Sequence, residues 1–147
     1  MAYNPNNPNG QTTAANSAPV VLASNVTSSF SIAEAATGGA TVKNIVAVSG
    51  NNSTLIKNSP GKVTGWYIYN SNGSARVVRF FNVNAAPTTF TSPYLTIPIP
   101  ALSAANCPFP AGIDFPTGIC IATTTTLDDP TTTGVAANDL IINIFFK

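Results

Sequence analysis

The sequence contains no histidine. Histidine is the commonest general base near neutral pH and the commonest metal ligand, so Ser-His-Asp and Cys-His arrangements are excluded in their usual forms. Charge is also scarce. Six Lys/Arg and five Asp/Glu residues make up 7 % of 147 residues, with a formal net charge of +1, against about 25 % charged residues in an average soluble domain. The basic residues are spread from Lys43 to Lys147 and form no stripe. Such a chain cannot neutralise many phosphates, and no nucleic-acid partner is expected. No apolar run approaches the roughly 20 residues of a membrane-spanning helix, so no membrane is expected either. Residues 1–17 lack the basic and apolar regions of a secretory signal, which points to synthesis and folding in a cytosol.

The two cysteines, Cys107 and Cys120, are too few for a disulfide framework. Reduced thiols buried as small apolar side chains are the simple expectation, while two neighbouring strands could also carry a bridge. The five carboxylates are Glu34, Asp114, Asp128, Asp129 and Asp139. A glycosidase needs two of them across a cleft. The adjacent pair Asp128-Asp129 sits in a Thr- and Pro-containing loop without the spacing of a calcium loop. No phosphate-binding G-x-x-x-x-G-K-[ST] and no Cys-x-x-Cys is present. The expectation is a chain that is not an enzyme and carries no cofactor and no metal.

Thr, Asn, Ser and Ala take the place of the missing charge. Thr favours strands, whereas Asn and Gly favour turns. A neutral surface of this kind is cheap to desolvate against another protein, so permanent assembly is expected.

Along the chain, residues 1–25 read as an extended N-terminal arm, and residues 26–147 as one domain. The arm is polar until Ala18-Pro19-Val20-Val21-Leu22-Ala23. Pro19, Val20, Val21 and Leu22 form a short apolar strand suited to a neighbour's sheet edge, or to pairing within the same domain. Ile32-Ala33-Glu34-Ala35-Ala36 has some helical propensity but is stopped by Gly38-Gly39.

Strands are then expected at Val42–Val48, Leu55–Lys57, Lys62–Asn70, Ala75–Val83, Tyr94–Pro100, Gly118–Thr126 and Asp139–Lys147, with Pro98 marking an edge. Short turns are expected around Cys107–Pro110 and Gly112–Phe115. The Asn72-Gly73 dipeptide predicts a hairpin joining Lys62–Asn70 to Ala75–Val83. The fold class expected is an all-β jelly-roll sandwich of about eight strands, with an immunoglobulin-like Greek key as the alternative.

Trp66, Tyr67, Tyr69, Phe80 and Phe81 occupy both arms of the expected hairpin. Neighbours in a strand point to opposite faces, so one face of the hairpin must enter the core. The other needs a second layer, a partner or a ligand, and a subunit interface is favoured over sugar stacking.

Asn16-Ser17-Ala18-Pro19-Val20-Val21-Leu22-Ala23-Ser24 resembles an "NSxPVVIAS" leader of small virion proteins of tailed bacteriophages. Gly65-Trp66-Tyr67-Ile68-Tyr69-Asn70, Val77–Asn82, Pro110-Ala111-Gly112-Ile113-Asp114-Phe115 and Gly118-Ile119 are also similar to such proteins. The usual "DQS" continuation is replaced here by Asn25-Val26-Thr27. The resemblance implies a capsid decoration (cement) protein or a tail or fibre accessory, commonly a homotrimer. It implies the major capsid protein as partner, the capsid surface of the virion as location, and no catalytic residues. A glycan-binding tail or fibre module is the alternative expectation.

Overall fold

Period-two alternation of apolar side chains is the main organising signal, and it produces strands wherever turn residues bound it. The structure is a computed structural model and describes residues 39–128 and 133–147. The expected arm strand at Pro19–Leu22 and the short segment Ile32–Ala36 lie outside the described residues.

Eight strands are present and, among the described residues, no helix. They are β1 (Thr41–Val46), β2 (Thr54–Lys57), β3 (Gly61–Asn70), β4 (Arg76–Phe81), β5 (Leu95–Ile99), β6 (Ser103–Phe115), β7 (Ile119–Thr124) and β8 (Leu140–Phe146). They form two four-stranded antiparallel sheets, ordered β1-β8-β3-β6 and β2-β7-β4-β5. The described residues fall in one compact unit, Glu34–Lys147. The molecule is an all-β sandwich.

The pairing is nested: β4 with β5, β3 with β6, β2 with β7, and β1 with β8. Each pair therefore encloses the one before it along the chain.

The core lies between the sheets. Ile68, Ile142 and Ile144 from the first sheet meet Val78, Phe80, Ile97 and Ile121 from the second, all buried. Trp66 packs against Phe80 and Phe109, with ring centroids 5.9 and 5.1 Å apart. In β8, Leu140, Ile142 and Ile144 are buried while Ile141 is exposed, as the alternation requires. Pro98 is exposed on β5, an edge strand, where a missing N–H costs no ladder bond.

Two expectations are corrected. The segments around Asn72-Gly73 do not form a hairpin, because β3 and β4 lie in different sheets. Both are interior strands with both edges taken, β3 by β6 and β8, and β4 by β5 and β7. The Asn-Gly link instead arches from one sheet to the other. Asn70 holds the arch: its amide donates to the carbonyls of Ser74 (2.9 Å), Ile99 (3.2 Å) and Pro100 (2.9 Å), and its Oδ1 accepts from the Asn72 N–H (3.0 Å).

The second correction concerns residues 103–115, which form one long strand rather than short turns. The turn signals mark an irregularity inside it. Val63 pairs with Ile113 and Gly65 with Pro108, so the stretch between Pro108 and Ile113 faces Thr64 alone. Gly112 absorbs the distortion with φ of 75°, a region other residues enter at a cost.

Candidate interaction surface

The outer faces of the two sheets are treated differently. On the second sheet, Val77, Arg79, Phe81, Cys120, Ala122 and Thr124 point away from the core, yet all are buried. The chain covers this face with its own loops. Phe90, from the loop after β4, packs on Phe81 with ring centroids 6.4 Å apart, beside Cys120 and Ala122.

Arg79 fastens the cover. Its side chain is 1 % exposed, and its guanidinium donates to the carbonyls of Phe90 (3.0 Å), Leu127 (2.9 Å) and Asp128 (2.6 Å). One buried cation thus ties two loops to the sheet, supplying hydrogen bonds that the loop carbonyls would otherwise have to take from water.

The first sheet has no such cover among the described residues. The registers align three outward rows across β1, β8, β3 and β6. One row is Val46, Ile141, Tyr69 and Ala104. The middle row is Asn44, Asn143, Tyr67 and Asn106. The third is Val42, Phe145, Gly65 and Pro108. No ionisable acid or base other than tyrosine stands in any of them. Val42 (53 %), Val46 (49 %) and Tyr67 (44 %) are well exposed. In the middle row the Asn44 amide donates to Asn143 Oδ1 at 2.8 Å.

The strand irregularity opens a hollow of about 320 Å³ in the third row, lined by Gly65, Pro108, Phe145 and Asn106. Its depth depends on Gly65, where a Cβ would stand 2.9 Å from the Cys107 carbonyl oxygen.

The five aromatics, expected on the two faces of a single hairpin, are therefore distributed over three environments. Trp66 and Phe80 are in the core, and Phe81 is under the Phe90 loop. Tyr67 and Tyr69 alone remain on the outer face of the first sheet. Sequence reasoning missed Val42, Val46, Ile141 and Phe145, which complete that face. The signal was the second set of the period-two alternation in β1 and β8, which has no charge where a solvated face would carry it.

The ionisable groups are placed structurally. Asp139 is 5 % exposed and pairs with Arg76 Nε at 2.6 Å, while accepting from Asn72 Nδ2 (2.9 Å) and the Ala136 N–H (3.0 Å). Burial alone would raise its pKa, but these hydrogen bonds and the Arg76 charge outweigh it and hold the carboxyl below its usual range. Asp114 makes an exposed pair with Lys62 at 3.2 Å. Among the described residues no three His, Cys, Asp or Glu side chains cluster as metal ligands would.

Cys107 and Cys120 are free thiols. Cys107 faces inward from the first sheet, opposite Trp66, and Cys120 lies on the covered outer side of the second. Burial raises the Cys120 pKa, and its Sγ contacts the Val83 and Ala85 carbonyls at 3.2 Å each.

Compared with known proteins, the chain matches no family model, no curated protein and no solved structure.

Proposed function

We propose that this chain is a structural virion subunit, a capsid decoration protein that binds the major capsid protein shell from outside. The observation that carries the proposal is the uncharged outer face of the first sheet, left uncovered among the described residues, beside a second face that the chain covers with its own loops. A fold that covers one apolar face and, among its described residues, leaves the other open offers it to a partner. The leader resemblance at Asn16–Ser24 supports a virion as the setting. In this proposal Pro19, Val20, Val21 and Leu22 extend the contact as an arm along the shell.

The test is co-sedimentation of the purified full chain with shells of the phage that encodes it. Ile141→Glu, which adds a charge at an exposed face position, is expected to lower binding at least tenfold without lowering the melting temperature. Deletion of residues 1–25 is expected to weaken binding separately. Unchanged binding in both variants would sink the proposal.

Tyr67, one row from the hollow, and Tyr69 in the row beyond it favour a second reading, a tail- or fibre-associated glycan-binding module. Glycan-array binding that disappears in Tyr67→Ala, together with only a few copies per virion, would select it. Trp66→Ala is no test of this, because Trp66 belongs to the core.

A further inference from the structure

Each sheet of an open sandwich has two edges, and an unguarded edge invites pairing. Three of the four are blunted here. β5 carries Pro98, β6 carries Pro108 and Pro110, and β2 is four residues long with a register break. β1 has none of these devices. It is six residues long, contains no proline and pairs with β8 without a shift.

The ladder shows which of its backbone groups face outward. Ala47, continuing the β1 register, donates its N–H to the Leu140 carbonyl at 2.9 Å. Antiparallel bonding alternates along a strand, so Thr41, Lys43 and Ile45 turn their N–H and C=O to β8. Val42, Asn44 and Val46 turn theirs to the open side. The next residue of that set, Val48, is satisfied internally: its N–H donates to Asn52 Oδ1 (2.8 Å), and its carbonyl accepts from Asn52 Nδ2 (2.9 Å). The fold caps its own edge at Val48, and no described strand continues the cap along β1.

The open edge is self-complementary. Its outward positions read Val42, Asn44, Val46, the same in both directions. We infer that β1 is the pairing edge for a second copy of this chain, with the two strands antiparallel about a two-fold axis at Asn44. Such an isologous contact sets Asn44 against Asn44 of the copy and Val42 against Val46 of the copy. All of these residues have the right backbone orientation for paired hydrogen bonds. The only charged residue of the strand, Lys43, falls opposite Ile45 rather than opposite itself. The uncharged outer faces of both copies then form one continuous sheet surface.

A six-residue edge buries less than the roughly 800 Å² per partner of a standard stable complex, so the pairing is a concentration-dependent equilibrium in isolation. It does not depend on the capsid proposal, since it is read on the isolated protein, nor on the three-fold association the resemblance implies.

The test measures the mass of the full chain by sedimentation velocity over a wide concentration range. The wild type is expected to pass from monomer to dimer. Val42→Lys with Val46→Lys puts like charges opposite one another in this register and is expected to weaken the dimer about tenfold or more. Val42→Lys with Val46→Glu puts opposite charges at the same positions and is expected to restore it. Should either pair lower the melting temperature, Val46→Pro removes one outward N–H, spares the β8 ladder and is expected to abolish the dimer. A wild-type monomer at every concentration overturns the inference and leaves the edge to a segment of the same chain. A trimer without dimer, or equal effects of the two charge pairs, also overturns it.

Discussion

At the scale of single residues, two buried ionic side chains fasten different parts of the fold: Arg79 ties loops to the outer face of the second sheet, and Asp139, immediately before β8, pairs with Arg76 of β4. Arg79→Met removes the donor from the Phe90, Leu127 and Asp128 carbonyls. The expected cost is about 2–4 kcal/mol, because buried acceptors are left unpaired. Urea unfolding measures it, and limited proteolysis should cut the loop between Asn82 and Tyr94 earlier than in the wild type. Asp139→Asn breaks a largely buried ion pair, for which about 3–5 kcal/mol is expected. Its folded pKa lies below the unfolded value, so this carboxylate contributes stability that is fully present above about pH 4. That contribution is lost as the pH falls through the lower folded value. Thermal unfolding from pH 7 to pH 2 should show a drop that is smaller in the Asn variant. Neither role was legible in the sequence. Arg79 sits in an apolar strand without a nearby acid, and Asp139 meets Arg76 only because an arch and a long loop end at the same rim.

At the scale of elements, most strand positions were readable, with β6 the exception, but strand partners were not. Alternation in Leu95, Ile97 and Ile99, and in Leu140, Ile142 and Ile144, marked both the strands and their core faces. The edge assignment of β5 followed from one proline, Pro98. By contrast, Asn72-Gly73 carries the local chemistry of a tight hairpin, and the decisive fact was elsewhere: β6, β8, β5 and β7 already occupy every edge of β3 and β4. Local turn propensity specifies a change of direction, whereas sheet membership is set by long-range competition for edges. The outer face of the first sheet was half legible, through Tyr67 and Tyr69, since its other contributors come from strands far apart in sequence. Gly65 shows what a single position does to an element. Replacing it with Val brings side-chain atoms against the Cys107 carbonyl and Pro108. Straightening or displacing β6 should cost about 1–3 kcal/mol, seen as a lower urea midpoint, and should fill the hollow.

At the scale of the whole molecule, the nested order of pairs has a kinetic meaning. β4 and β5 are the closest partners along the chain, and each further pair encloses the last, until β1 joins β8 across nearly the full described length. Contacts between distant residues demand more loop-closure entropy, and folds dominated by them form slowly. The sandwich is therefore expected to close from its middle outward, with β1 last to dock. The native state should open in the reverse sequence. In hydrogen exchange, Thr41, Lys43 and Ile45 should lose protection first and the amides of β4 and β7 last, each group on its own time scale. Equal protection across all strands would contradict this order. The strand with the open edge is thus also the one that arrives latest, so the surface offered to other molecules is assembled only after the interior of the sandwich is complete.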